Sequence, residues 1–173
     1  MAVLNLLDKG ETITDFQMIK DFLAGYKIDI AIWEAAMPLK DDDSQETILK
    51  AYDHEIGPYM KKHGYQAADV ISVNPNTENI EAIRQKFLSE HTHAEDEVRY
   101  FVDGEGTFYF NLGDQVVSVL CQKGDFMAVP AGYKHWFDLA PKYTVKAIRI
   151  FTNPEGWVAN YTESGIDKNY IGE

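Results

Sequence analysis

A mainly β fold, an antiparallel sandwich or barrel with helices in its N-terminal part, is what this 173-residue sequence predicts. Two observations carry the prediction. From about Val98 onwards, short β-branched and aromatic runs alternate with turn signals at Asp103-Gly104, Gly113-Asp114, Lys123-Gly124 and Pro130-Ala131-Gly132, and turns at such short intervals suit antiparallel strands. The N-terminal part instead carries apolar residues at helical spacing. Length and an ordinary hydrophobic fraction allow one core, so a single domain over residues 1–173 is expected. In it, residues 1–85 form a helical and strand part packing outside the β unit. Residues 86–157 carry the motifs described below, and 158–173 form a tail without clear period.

Taken in order, "TDFQMIKDFLAGY" places Phe16, Ile19, Leu23 and Tyr26 on one helical face, with Thr14 as N-cap and Gly25 near the end. "IDIAIWEA" (28–35) alternates as a strand does. "DDDSQETILKAYDHEIGPYMKKHGY" begins with acidic capping residues, aligns Ile48, Leu49, Tyr52 and Ile56, and meets Pro58 after Gly57. "QAADVISVNP" reads as a strand stopped at Asn74-Pro75, and "NTENIEAIRQKFL" as a short helix.

The net charge of −12 argues against nucleic acid, because phosphate binding begins with lysine and arginine neutralising the backbone. No apolar run approaches the roughly 20 residues that span a bilayer. The start lacks the basic and apolar regions of a signal peptide, and Cys121 is the only cysteine. These features lead to the expectation of a cytoplasmic protein with no membrane partner.

"HTHAEDEVRY" (91–100) packs two histidines, three carboxylates and an arginine into ten positions. In a strand His91 and His93 project to one face, with Glu97 and Arg99 in the same parity. A fully extended chain would put Glu97 about 20 Å from His91, whereas ligands of one ion lie roughly 2.0–2.2 Å from it. The chain must therefore turn or bulge at Ala94-Glu95-Asp96 if all three are to meet. His135, after the Pro130-Ala131-Gly132 turn, is the candidate fourth ligand. A histidine pair two apart is often plain surface; Glu97 and His135 move the reading to a metal site. Three imidazoles and a carboxylate suit iron, nickel, zinc or manganese. By the same reasoning Glu90, Glu95 and Asp96 read as solvated acids or turn formers, and Arg99 as an ion-pair partner that shares the ligand face. His54 and His63 read as surface, and Phe87, Phe101, Phe137 and Trp157 as core.

"HTHAEDEVRYFVDG" and "GDFMAVPAGYKH" match most of the two cupin motifs, with Gln85 where the first usually begins with glycine and Leu139 where the second usually ends with asparagine. The chain thus resembles a cupin, a jelly-roll-like β-barrel with flanking N-terminal helices. In that superfamily, "EHTHAEDEVRYFVDGEG", "GDFMAVPAGYKHWF" and the "NPEGWVANY" tail closely resemble the acireductone dioxygenases of methionine salvage. The resemblance implies a monomer holding one Fe(2+) or Ni(2+) ion on His91, His93, Glu97 and His135. It implies cleavage of the acireductone 1,2-dihydroxy-3-keto-5-methylthiopentene by O2. Iron would give 4-methylthio-2-oxobutanoate and formate; nickel would give 3-methylthiopropanoate, formate and carbon monoxide. By matched position Arg99 stabilises the substrate dianion, Glu90 bears on metal incorporation and Asp96 relays conformational change. Phe87, Phe101, Phe137, Arg149 and Trp157 become pocket candidates. The rival readings are another mononuclear cupin enzyme, an isomerase or a different enediol dioxygenase, and a non-enzymatic cupin that binds a small molecule.

Overall fold

The computed structural model describes residues 2–170; residues 171–173 of the expected tail lie outside the described residues. The N-terminal part comprises β1 (Val3–Leu6), β2 (Glu11–Ile13), α1 (Phe16–Ala24), β3 (Asp29–Ile32), α2 (Gln45–Ala51), α3 (Asp53–His63), β4 (Ala67–Val73) and α4 (Ile80–Leu88). There follow β5 (His91–Thr92), β6 (Glu97–Asn111), β7 (Val116–Gln122), β8 (Asp125–Val129), β9 (Lys134–Asp138), β10 (Val145–Phe151) and β11 (Asn160–Tyr161). Short 3-10 turns occupy Pro154–Trp157 and Ile166–Asn169.

All strand pairs are antiparallel, and β6 joins two layers. Its first half pairs with β10 and β8, which continue to β4 and β3. Its second half pairs with β7 and β9, in the order β11-β5-β9-β6-β7-β1-β2. The result is the jelly-roll-like cupin barrel that the motifs imply.

The strand can serve both layers because it carries a bulge. Lys146 of β10 faces Asp103 while Ala147 faces Phe101, so Val102 is an extra residue. The bulge shifts the barrel-facing parity from Glu97, Arg99 and Phe101 to Phe108 and Phe110. Asp103-Gly104 was expected as a turn; instead the strand continues, because β7 and β9 pair with its second half. Gly104 is needed there for two reasons. Its φ is +76°, and a Cβ would lie 2.0 Å from the Thr144 carbonyl oxygen.

Two apolar clusters flank the layers. One fills the barrel around Phe101, Phe108, Phe110, Val119 and Leu139, joined by Ile19 and Leu23 of α1. The other lies under α2 and α3 and holds Ile48, Tyr52, Ile56, Val98, Tyr100 and Phe126. In it the Trp33 ring stacks on Phe126 at 4.2 Å and on Tyr100 at 5.3 Å. Each such pair adds about 0.5–1.5 kcal/mol beyond area burial, and together they hold the register of β6 on which Arg99 depends.

Four local expectations are corrected. Asp15 rather than Thr14 caps α1, accepting from the Met18 amide at 2.9 Å. Ser44 rather than the acidic run caps α2, accepting from the Thr47 amide at 3.2 Å. Pro58 lies inside α3, which ends only at Gly64 with φ 76°. The N-terminal part also does more than pack outside the barrel, since β1, β3 and β4 pair with β7, β8 and β10. β3 and β4 are legible as strands, but their partners lie far away in sequence, so nothing local announces the pairing.

Candidate metal centre

The chain leaves the extended path after Thr92, turns through 93–96 and returns as β6 at Glu97. This is the bend that the ligand spacing demanded. His135 of β9 stands directly opposite His91 of β5. The ring centroids of His91 and His135 are 4.5 Å apart, and those of His93 and His135 are 4.9 Å apart. One ligand atom from each of the three histidines lies within 4.8 Å of the others, and all three residues are buried.

Their orientation is set by the backbone. Nδ1 of His91, His93 and His135 sits 2.8, 2.7 and 2.9 Å from the carbonyl oxygens of Ser89, Glu95 and Tyr133. A carbonyl only accepts, so each Nδ1 carries the hydrogen; Nε2 of His91 and His135 keeps its electron pair, whereas Nε2 of His93 faces a carboxylate that favours a proton on it. Outer-sphere bonds of this kind orient metal-binding imidazoles. Glu97 reaches the group through His93, with Oε2 2.8 Å from Nε2.

Electrostatics favours the metal-binding protonation states of His91, His135 and Glu97. Burial drives His91 down and His135 down to about 4, so both are neutral at physiological pH. Burial would lower His93 as well, but the Glu97 carboxylate reverses the shift and holds it above its usual value. Burial acts to raise Glu97, yet Arg99 and the neighbouring imidazoles keep it well below the usual carboxylate range. Three buried nitrogen donors beside an ionised carboxylate form a donor set that fits a divalent cation.

Arg99 donates from Nε to Oε1 of Glu97 at 2.8 Å and lies over the Trp157 ring, 4.6 Å from its centroid. Its Nη1 is buried without a hydrogen-bond partner among the described residues. Arg149 faces the same indole at 4.7 Å and is paired with Asp69 at 2.5 Å. Trp157 donates its Nε1 hydrogen to the Asp96 carbonyl oxygen at 3.1 Å.

Asp96 and Glu90 are not merely solvated. The Asp96 carboxylate accepts from Tyr65 Oη at 2.6 Å and from the Ala131 amide at 2.8 Å. Glu90 is only 2% exposed and accepts from Thr162 Oγ1, Ser164 Oγ and Asn111 Nδ2 at 2.6, 2.8 and 3.0 Å. Burial opposes ionisation of Glu90, but these bonds and Lys134 hold its pKa below normal. Glu95 is bonded too, accepting from the Thr152 amide at 2.7 Å. His54 and His63 are on the surface as expected.

The four candidate ligands and Arg99 line a cavity of about 380 Å³, and all five pocket candidates, Phe87, Phe101, Phe137, Arg149 and Trp157, line it too. Much of the rest is apolar, from Ile71, Val73, Ile83, Leu139 and Val145. Sequence reasoning missed Asp69, Tyr65, Thr162 and Ser164, whose partners lie 31 to 80 residues away. The β4 strand pattern could have flagged Asp69 as a polar residue in an apolar run.

A family model described as the ARD/ARD' family matches residues 8–159. Acireductone dioxygenase of Picosynechococcus sp. is 47% identical over 171 residues, 98% of this chain and 97% of the relative. That of Cronobacter sakazakii is 47% identical over 157 residues, 91% of this chain and 87% of the relative. A solved structure of acireductone dioxygenase from Bacillus anthracis, with a cadmium ion in its active center, superposes with a TM-score of 0.85. It is 32% identical and covers 93% of this chain and 98% of that chain.

Proposed function

The chain belongs to the acireductone dioxygenase family, cupin-fold oxidoreductases, and on that premise we propose that His91, His93, Glu97 and His135 hold one Fe(2+) or Ni(2+) ion for cleavage of the methylthio acireductone by O2. The observation that carries this reading is the convergence of three carbonyl-oriented imidazoles, with the ionised Glu97 carboxylate against one of them, in a largely apolar cavity. When bound, the ion supplies Lewis-acid character and open coordination positions.

The chain's own residues do the rest. Arg99 holds Glu97 through Nε and, through Nη1, offers a hydrogen-bond donor to an anionic oxygen of the substrate. A fixed guanidinium favours the doubly deprotonated enediolate over its protonated forms. The apolar walls exclude water and so strengthen that attraction. Trp157 lies against Arg99 and Arg149, limiting the movement of both cations, while Asp69 balances the charge of Arg149. Ile71, Val73, Phe87, Phe137 and Leu139 receive the methylthioalkyl tail.

The roles of the two acids follow from their bonds. Asp96 ties the turn between the ligands to Tyr65, Ala131 and Trp157, so displacement of that turn reaches the cavity wall. Glu90 fastens the tail behind His91, where β11 pairs with β5, and so bears on metal incorporation. The test is to strip the chain, load it with each metal separately and analyse products from the acireductone under O2. Keto acid and formate are expected with iron, and carbon monoxide with nickel. The same products with both metals would overturn metal-directed cleavage, and no turnover with either would overturn the activity.

A further inference from the structure

Gly106 is a glycine with no backbone reason to be one. It lies in regular β6, paired with Cys121 of β7, and its φ is outside the left-handed region. The three atoms nearest to a side chain at this position belong to one residue. A Cβ would lie 2.0, 2.7 and 3.0 Å from Cζ, Cε2 and Cε1 of Phe137. The aromatic ring occupies the space that any other residue's Cβ would take.

Phe137 is placed to use that space. It follows His135 by two residues on β9, so the two side chains share a face, with Phe137 about 7 Å further along the strand. Leu139 continues in the same direction, and all three line the cavity. A substrate whose head lies at His135 and whose tail runs towards Leu139 passes the Phe137 ring. The ring is backed by Phe108, with centroids 4.7 Å apart, and both backbones are fixed by the β6–β9 ladder. Its mobile end therefore sets the width of the cavity at this level.

We propose that Gly106 is a specificity-determining residue: by letting the Phe137 ring sink into the wall, it sets the length of side chain the cavity accepts beyond the metal-binding histidines. The inference rests on the acireductone reading of the site. With a methyl group at position 106, the ring tip retreats by about 1.5–2 Å to regain normal carbon–carbon contact. Phe108 lies against the ring and the cavity is the open space beside it, so the ring swings into the path of the tail. His135, two residues back along β9, keeps its pairing with Phe110 and His91, so the ligand cluster is left in place.

The experiment compares metal-loaded wild type and Gly106→Ala on two acireductones, one with the methylthioethyl tail and one truncated to a methyl group. The ratio of kcat/KM, long over short, is expected to fall about tenfold in the variant, the scale of a few misplaced carbon atoms in an apolar pocket. Adding Phe137→Leu to Gly106→Ala removes the ring tip and is expected to restore the ratio. Equal loss on both substrates, an unchanged ratio, or a double variant that restores nothing would each overturn the proposal. Should Gly106→Ala fail to retain metal, Phe137→Leu alone decides the matter: it must shift preference towards tails longer than methylthioethyl, and no shift overturns the proposal. Wild type inactive on both acireductones would overturn the activity itself, a distinguishable failure.

Discussion

Arg99→Lys separates two duties that a guanidinium performs at once. Nε donates to Glu97 at 2.8 Å, while the Nη1 end is buried without a protein partner. A lysine has a single nitrogen and must serve either the ligand carboxylate or the substrate. A hydrogen bond to a charged, buried group is worth about 1.5–3 kcal/mol. Losing the Trp157 face, now 4.6 Å away, removes on the order of 1 kcal/mol more. If the ammonium stays on the substrate, Glu97 loses its orienting partner and metal affinity falls about 10–100-fold. If it stays on Glu97, the dianion loses its anchor, and 2 kcal/mol corresponds to a drop of roughly thirtyfold in kcat/KM. The assay measures metal retention against graded chelator, then oxygen uptake at saturating metal. A variant within about threefold of wild type in both quantities would refute the reasoning, since 1.4 kcal/mol is already tenfold. Arg99 would then be a structural ion-pair partner only.

The remaining predictions concern protons and the tail. At about pH 6.5, metal binding to the stripped chain should release protons from His93, whose pKa is raised, more than from His91 or His135, whose pKa values are lowered. Calorimetry in buffers of different ionisation enthalpy measures it; release of none would show that His93 is already neutral. His135 also predicts acid sensitivity of the metal-free fold. Its folded pKa lies below the unfolded value, so the unfolded state binds more protons, and stability falls as pH drops from about 6.5 towards 4. Denaturation midpoints across that window should decline less in His135→Gln than in wild type. Glu90→Ala leaves the hydroxyls of Thr162 and Ser164 without their acceptor. It should destabilise the chain by about 2–3 kcal/mol, with hydrogen exchange of the Thr162 amide accelerated more than that of β7 amides; equal acceleration would mean that the tail is not held locally.

What the sequence determined by itself is the chemistry within a few residues of a turn. The pair His91 and His93, the need for a bend before Glu97, the parity of Arg99 and the placement of His135 after Pro130-Ala131-Gly132 all follow from strand geometry and ligand reach, which are local. The cupin and acireductone dioxygenase resemblance was legible for the same reason, because its motifs are contiguous. The tertiary structure decided whatever depends on partners far apart in sequence. Asp103-Gly104 has the composition of a turn, and only the pairing of β6 with β7, β9 and β10 keeps it in the strand, beside a bulge at Val102 that reverses which side chains face the barrel. Glu90 looks like one acid among several until the tail brings Thr162 and Ser164 to it. Gly106 has no local signal in the sequence, and its reason is seen only when Phe137 is found where its side chain would be. Backbone preference is a property of neighbouring residues, whereas space and hydrogen-bond partners are set by segments that meet only when the barrel closes.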